Sequence, residues 1–238
     1  MNSPRRAPKN APDAAPRRVK TPFPGVVSSV EAQTRTRAGF GPRVNVFIEG
    51  KFSFALGLEV AGKHGLRPDL IIDAAFLEQL LREDGEGKAL QSALAFLGHR
   101  ARSEAEIRAR LARDEWSETV IVAVIGKLRA ARLVNDDEFA QNWVENRSRF
   151  RPRGARVLGQ ELRQKGVERE AIQAALPDAS AEEDNALAAL RKTARKWENI
   201  PDERERGRKA IEFLARRGFG YSAAKAAWTR FVAGEGED

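Results

Sequence analysis

The chain has 238 residues, of which 42 % are apolar and 32 % charged; its net charge is +8 and it contains no cysteine. That length allows one large domain or two smaller ones, and a charged fraction above the roughly 25 % of an average globular protein suits helices with narrow buried stripes and wide solvated faces. The absence of cysteine excludes disulfides, thiol catalysis and thiolate metal sites and fits a cytoplasmic location, and no stretch approaches the ~20 apolar residues of a membrane span.

Residues 1–25 hold six Lys or Arg, one Asp and six of the eleven prolines, with almost no apolar bulk. A disordered basic tail is expected, because such a segment cannot bury enough surface to offset its ordering entropy. It has no apolar run of the kind a secretory signal needs. This tail carries +5 of the net charge, whereas residues 178–238 sum to zero. A basic tail favours an anionic partner such as nucleic acid without specifying a sequence.

The character changes over 26–84. Residues 26–33 and 43–49 are rich in β-branched side chains, and Val44, Val46 and Ile48 alternate with Arg43, Asn45 and Phe47. A Gly50-Lys51 turn signal follows, then Phe52, Phe54 and Leu56 alternate again, which is hairpin patterning. The stretch 34–42 reads as a mobile basic loop, and Arg35, Arg37 and Arg43 are candidates for a nucleic-acid contact. The period becomes helical over 69–82, with Ile72, Phe76, Leu77, Leu80 and Leu81 on one face, and Gly85-Glu86-Gly87 marks a boundary. A small hairpin-and-helix module is expected here.

From Lys88 onward only helical patterns appear, and they repeat. Leu111, Leu162 and Leu214 are 51 and 52 residues apart, and five residues after each stands Trp116, Val167 or Phe219. Ile121, Ile172 and Ala224 follow ten residues after the leucines, and Ile125, Leu176 and Trp228 fourteen after them. Four residues after each leucine stands Glu115, Gly166 or Gly218, so glycine occupies two of three positions where a helix must stop in a left-handed cap. Ser103-Glu104-Ala105-Glu106, Asn135-Asp136-Asp137-Glu138 and Ser180-Ala181-Glu182-Glu183 read as helix starts. The expected fold is mainly α, with three-helix repeats at 88–135, 136–177 and 178–232 and a frayed end at 234–238. The repeated Leu and Trp/Val/Phe positions are assigned to the core.

No residue set carries catalysis. His64 and His99 lack partners at metal spacing, and neither a phosphate-binding Gly-x-x-x-x-Gly-Lys-Ser/Thr loop nor a Gly-x-Ser-x-Gly elbow occurs. The chain therefore reads as a non-enzyme without cofactor or metal. Acid pairs such as Asp136-Asp137 and Glu182-Glu183 fall at helix starts, where a carboxylate complements the helix dipole. One stretch stands out: Arg147, Arg149, Arg151, Arg153 and Arg156 fall within ten residues, interleaved with Phe150 and preceded by Trp143. Pro152 and Gly154 break the helix, so these arginines flank a turn and can meet phosphates or carboxylates. Phe150 either stacks on a base or packs on Trp143. The plainer alternative is a solvated turn. A second cluster, Arg191, Lys192, Arg195 and Lys196 beside Trp197, could line the same face. Arg100, Arg102, Arg108, Arg110 and Arg113, interspersed with acids, read as a solvated ion-pair surface.

Residues 88–176 resemble the RecX family of RecA regulators. The likeness rests on Ala93-Leu94-Ala95-Phe96-Leu97, Arg100, Ser103, Glu106-Ile107, Leu111 and Leu128. It continues through Leu133-Val134-Asn135-Asp136-Asp137-Glu138-Phe139-Ala140, Arg147, Arg153-Gly154, Leu158, Glu161-Leu162 and Lys165-Gly166-Val167. The third unit is similar by periodicity more than by motif, and Glu115 departs from the glycine of the turn. The resemblance implies three-helix repeats that bind along the groove of a RecA–DNA filament as a monomer and inhibit strand exchange and ATP hydrolysis. The alternative on the same residues is a general DNA- or RNA-binding helical-repeat protein.

Overall fold

The structure, a computed structural model, describes residues 21–34 and 41–234. It divides into two compact units between Asp84 and Gly85. Residues 1–20 of the expected 1–25 tail, Arg35, Arg37 and residues 235–238 lie outside the described residues; the end of that tail is instead ordered, with Phe23 packed on the core of the first unit and Gly25 opening its first strand.

The first unit is an antiparallel sheet covered by helices. Strands β1 (Gly25–Ala32), β2 (Arg43–Ile48), β3 (Lys51–Gly57) and β4 (Ile71–Ile72) lie in the order β3-β2-β1-β4. Val44, Val46 and Ile48 alternate into the core, as their period of two requires. The β2–β3 turn is Glu49-Gly50, at φ 50° and 74°, not Gly50-Lys51. Both central residues are left-handed, the geometry that matches strand twist in a two-residue hairpin. The pairing register shifts beside Phe47, leaving Ser53 as an extra, buried residue. Its hydroxyl donates to the Phe23 carbonyl at 2.8 Å and accepts from the Phe23 N–H at 2.9 Å. This bulge turns Phe52 to the outer face, where it meets the edge of Phe47 at 5.9 Å, instead of pointing inward with Phe54 and Leu56.

Two short elements escape the periodicity: helix α1 (Leu58–Lys63) and β4. Ile72 belongs to β4 and is 1 % exposed in the sheet core, so it is not on the helix face. Helix α2 (Ala74–Leu97) starts after Asp73, whose side chain accepts from the Phe76 N–H at 2.7 Å. It then runs through Gly85-Glu86-Gly87 without a break. Glycine in a helix interior costs about 1 kcal/mol. Burial of Leu77 and Leu80 before that point, and of Ala89 and Ala93 after it, outweighs the cost. Arg43 is not presented to a ligand. It forms a two-pronged pair with Asp84 at 3.0 and 3.1 Å and donates to the Ala55 carbonyl at 2.8 Å.

The second unit is the repeat array. The carboxyl-terminal part of α2, α3 (Glu104–Arg113) and α4 (Glu118–Ala130) form the first repeat, and α5 (Asp136–Phe150), α6 (Ala155–Gln164) and α7 (Arg169–Ala175) the second. The third contains α8 (Ala179–Arg191), α10 (Glu203–Arg216) and α11 (Tyr221–Val232), plus an unforeseen one-turn helix α9 (Arg195–Glu198) that buries Trp197. Helix α8 is capped by Asp178, which accepts from the Ala181 N–H at 2.8 Å, and not by Ser180. The capping box at Ser103 and Glu106 is present in full.

The five-residue Leu spacing has a direct cause. Trp116, Val167 and Phe219 each donate a backbone N–H to the carbonyl of Leu111, Leu162 or Leu214, at 3.2 Å every time. Between them Glu115, Gly166 and Gly218 sit at φ 64°, 74° and 91°. This is the six-to-one closure of a helix carboxyl end, in which the two bonded residues also touch through their apolar side chains. All three leucines are fully buried. Glu115 thus adopts the glycine conformation despite its Cβ, at a cost of roughly 1–2 kcal/mol. Glu115→Gly is expected to stabilise the array by about 1 kcal/mol, read as a raised urea midpoint at unchanged slope.

The repeats are joined by one device used twice. At the first junction the Ser103 hydroxyl, at the cap of α3, donates to the Lys165 carbonyl at 2.5 Å, and Asp136 accepts from the Glu104 N–H at 2.9 Å. At the second, the Gly154 N–H, at the cap of α6, donates to the Arg217 carbonyl at 3.1 Å, and Glu182 accepts from the Ala155 N–H at 3.1 Å. In each case the closing turn of one repeat seats on the amino end of the second helix of the repeat before it. Asp136 and Glu182 therefore cap a neighbouring repeat's helix. A Cβ on Gly166 would lie 2.3 Å from the Ala105 Cβ, and one on Gly218 2.5 Å from Val157. The turn at Glu115 has no preceding three-helix repeat to seat on. It needs only the positive φ, so a side chain is tolerated there.

Candidate interaction surface

Helix α5 ends at Phe150 because Pro152 follows and keeps Arg151 out of the helical region, at φ −143° and ψ 71°. The Arg-rich stretch therefore splits into parts with different tasks. Trp143 and Arg147 face α6, and both donate to the same Glu161 oxygen at 2.8 Å. The Arg147 guanidinium lies 4.4 Å from the Trp143 ring centre, the Lys165 ammonium 4.5 Å from it, and Phe139 stacks on Trp143 at 6.0 Å. These two candidates pin α5 to α6. Phe150 does not pack on Trp143; it is 60 % exposed, with the Arg149 guanidinium 5.3 Å from its centre. Arg149 and Arg151 are exposed and Arg153 half-buried. Arg156 donates to the Ala215 carbonyl at 3.1 Å. Among the described residues no carboxylate pairs with Arg149, Arg151, Arg153 or Arg156.

The second cluster is brought to the first at one point. Lys192, just past α8, donates to the Arg149 carbonyl at 2.6 Å and so caps the carboxyl end of α5. Arg191, Arg195 and Lys196 are exposed on the same helix end and on α9. By contrast, the arginines of the first repeat are spent internally: Arg100 on Glu106 at 2.8 Å, Arg108 on Glu104 at 3.0 Å and Arg110 on Asp114 at 3.0 Å.

The junction of the first two repeats has an opposite character that the sequence does not reveal. An open cleft of about 830 Å³ is lined by six carboxylates, Glu104, Asp136, Asp137, Glu138, Glu168 and Glu170, against three arginines, Arg108, Arg129 and Arg132. Burial pushes Asp136 above the usual carboxylate range, against the Glu104 N–H that it accepts. Burial also acts to raise Glu106, but Arg100, the Ser103 N–H and Lys165 outweigh it and hold this carboxyl at about 2. Glu106 stays ionised at neutral pH and ties the two repeats through Lys165 at 3.3 Å.

Known proteins share this arrangement. The first, second and third three-helix domains of RecX match residues 89–128, 135–176 and 181–228. The regulatory protein RecX of Clostridium acetobutylicum is 30 % identical over 201 residues, covering 82 % of this chain and 91 % of its own. The chain belongs to the RecX family. A second relative of that name, from Listeria monocytogenes, is 30 % identical over 85 % of this chain and 74 % of its own length. A crystal structure of a regulatory protein RecX superposes with a TM-score of 0.68, at 24 % identity, over 89 % of this chain and all of the other. A RecX structure from Lactobacillus salivarius gives 0.58, at 22 % identity, over 63 % of this chain and 99 % of its own. Likeness at that identity speaks for the fold alone. Matching of the third RecX domain puts residues 181–228 on the same footing as the first two repeats, although their motifs are weak. The RecX repeats also contain Glu161 and Glu182, whose bonding roles no local pattern announced.

Proposed function

We propose that this chain regulates a RecA-type recombinase by binding its nucleoprotein filament and inhibiting strand exchange and ATP hydrolysis. Membership of a family whose relatives are named regulatory proteins supports the regulatory role. The observation that carries the binding surface is the row Arg149, Phe150, Arg151 and Arg153, cationic and without carboxylate partners among the described residues. It stands on a body of three docked repeats. Such a body can touch adjacent subunits of a helical polymer, so that weak contacts combine through effective concentration. In this reading the protein acts as a cytoplasmic monomer in DNA repair and recombination.

The test is RecA's DNA-dependent ATP hydrolysis with this protein titrated in at two salt concentrations. Inhibition far below one copy per RecA, persisting at moderate salt, is expected. Replacing Arg149 and Arg153 together by Ala should raise the half-inhibitory concentration about tenfold or more while the helical circular-dichroism signal is retained, since charge-assisted contacts contribute ~1.5–3 kcal/mol each. Unchanged inhibition would remove this row from the interface. The exposed Phe150 between arginines favours one second reading, a nucleic-acid binder that stacks a base on the ring. Under that reading inhibition would fall steeply with salt and be relieved by added DNA.

A further inference from the structure

The junction of the second and third repeats concentrates positive charge that its neighbours do not cancel. Three arginines flank it. Arg153 precedes the α6 cap, Arg156 stands in the first turn of α6, and Arg217 closes α10. The junction holds the backbone beside Arg153 and the side chains of Arg156 and Arg217. The Gly154 N–H donates to the Arg217 carbonyl at 3.1 Å, an Arg217 nitrogen donates to the Pro152 carbonyl at 3.4 Å, and Arg156 reaches the Ala215 carbonyl at 3.1 Å. Arg217 also lies 4.6 Å from the Phe213 ring centre and is only partly exposed.

Two negative features oppose these charges. The carboxyl end of α10 contributes about half a charge, which the amino end of α6 offsets. Glu182 contributes a full charge but is bonded to the Ala155 N–H. About two positive charges remain. Burial first, and then the Arg153 charge, push Arg217 below the usual guanidinium range.

We propose that Arg153 and Arg217 form a binding site for a phosphate oxyanion that bridges the second and third repeats. A tetrahedral oxyanion offers the acceptor pairs that two planar guanidinium forks match. Because one arginine belongs to each repeat, the bound anion ties the repeats together. The site rests on this junction geometry and not on the recombinase reading, and its test contains no recombinase.

All four tryptophans lie in the repeat array, so their fluorescence reports its unfolding alone. Inorganic phosphate, compared with chloride at equal ionic strength, should raise the wild-type melting temperature by about 3 °C near saturation. Arg153→Ala should lose that response. Without phosphate the same variant should melt as high as the wild type or about 1–2 °C above it, because a like-charge repulsion is relieved. Arg217→Ala should also lose the response, and Arg153→Ala alone decides if that variant does not fold. A short single-stranded oligonucleotide at matched phosphate concentration identifies the source. A larger Arg153-dependent shift than that of the free ion assigns the site to a phosphodiester, and a smaller one to free phosphate. Equal shifts in phosphate and chloride, or a phosphate response that Arg153→Ala retains, would overturn the proposal.

Discussion

Gly154→Ala is expected to destabilise the repeat array by ~3 kcal/mol or more, although it adds one methyl group. The backbone at Gly154 is ordinary for any residue, at φ −74° and ψ 159°, so no conformational strain enters. The new Cβ would instead lie 2.2 Å from the carbonyl carbon and oxygen of Gly218 and from the nitrogen of Phe219. These are backbone atoms inside a hydrogen-bonded helix closure and cannot turn aside as a side chain could. The second junction would have to open, with loss of the Gly154 to Arg217 bond and the Glu182 cap. Overpacking of a closed contact costs 1–3 kcal/mol even where side chains can move. Gly220→Ala is the control. Gly220 caps α11 with almost the same angles, φ −66° and ψ 156°, and its Cβ would meet nothing within 4 Å. It therefore carries only the loss of a glycine cap, about 1 kcal/mol or less. Urea unfolding followed by tryptophan fluorescence measures both. Equal midpoints for the two variants would mean that the repeats do not seat on one another through Gly154.

The same glycine shows what the sequence reveals and what it hides. Period and spacing make the helices legible, because Leu111, Leu162 and Leu214 recur with apolar partners five residues on, and a single closure geometry enforces that interval. The exception, Glu115, is legible only with the junctions in view, since what it lacks is a neighbour. Gly154 reads locally as a helix breaker. Its function depends on a turn more than sixty residues away, and backbone-to-backbone contacts leave no trace in side-chain chemistry. The bulge at Ser53 is hidden for a related reason, since one inserted residue leaves the apolar composition of β3 intact while reversing Phe52. The Arg-rich stretch is visible as a charge anomaly, yet its division is not. Arg147 is removed from the free set by Glu161 on the next helix, at a separation no helical period signals.

Leu162→Ala should have the second large effect, ~2–5 kcal/mol, for reasons that differ from those at Gly154. Leu162 is fully buried among Phe139, Val144, Leu158, Val167 and Ile172, which join all three helices of the middle repeat. Truncation leaves a cavity on that seam and removes the apolar contact with Val167 that accompanies the closure at Gly166. The closing turn holding Lys165 and Gly166 is also the part that seats on Ser103 and Ala105 of the first repeat, so the loss reaches beyond one core. Against a total stability of order 5–15 kcal/mol this is a large share. The melting temperature should fall by roughly 5–15 °C. Leu133→Ala, at a site 51 % exposed, should change it by less than about 2 °C. The pair also separates stability from interaction. Under the proposed function, Leu162→Ala should lose inhibition of the recombinase only at temperatures where the tryptophan signal shows unfolding, whereas the Arg149 and Arg153 double variant should inhibit more weakly while fully folded. An unshifted melting temperature for Leu162→Ala would contradict the role of the leucine as the keystone of its repeat.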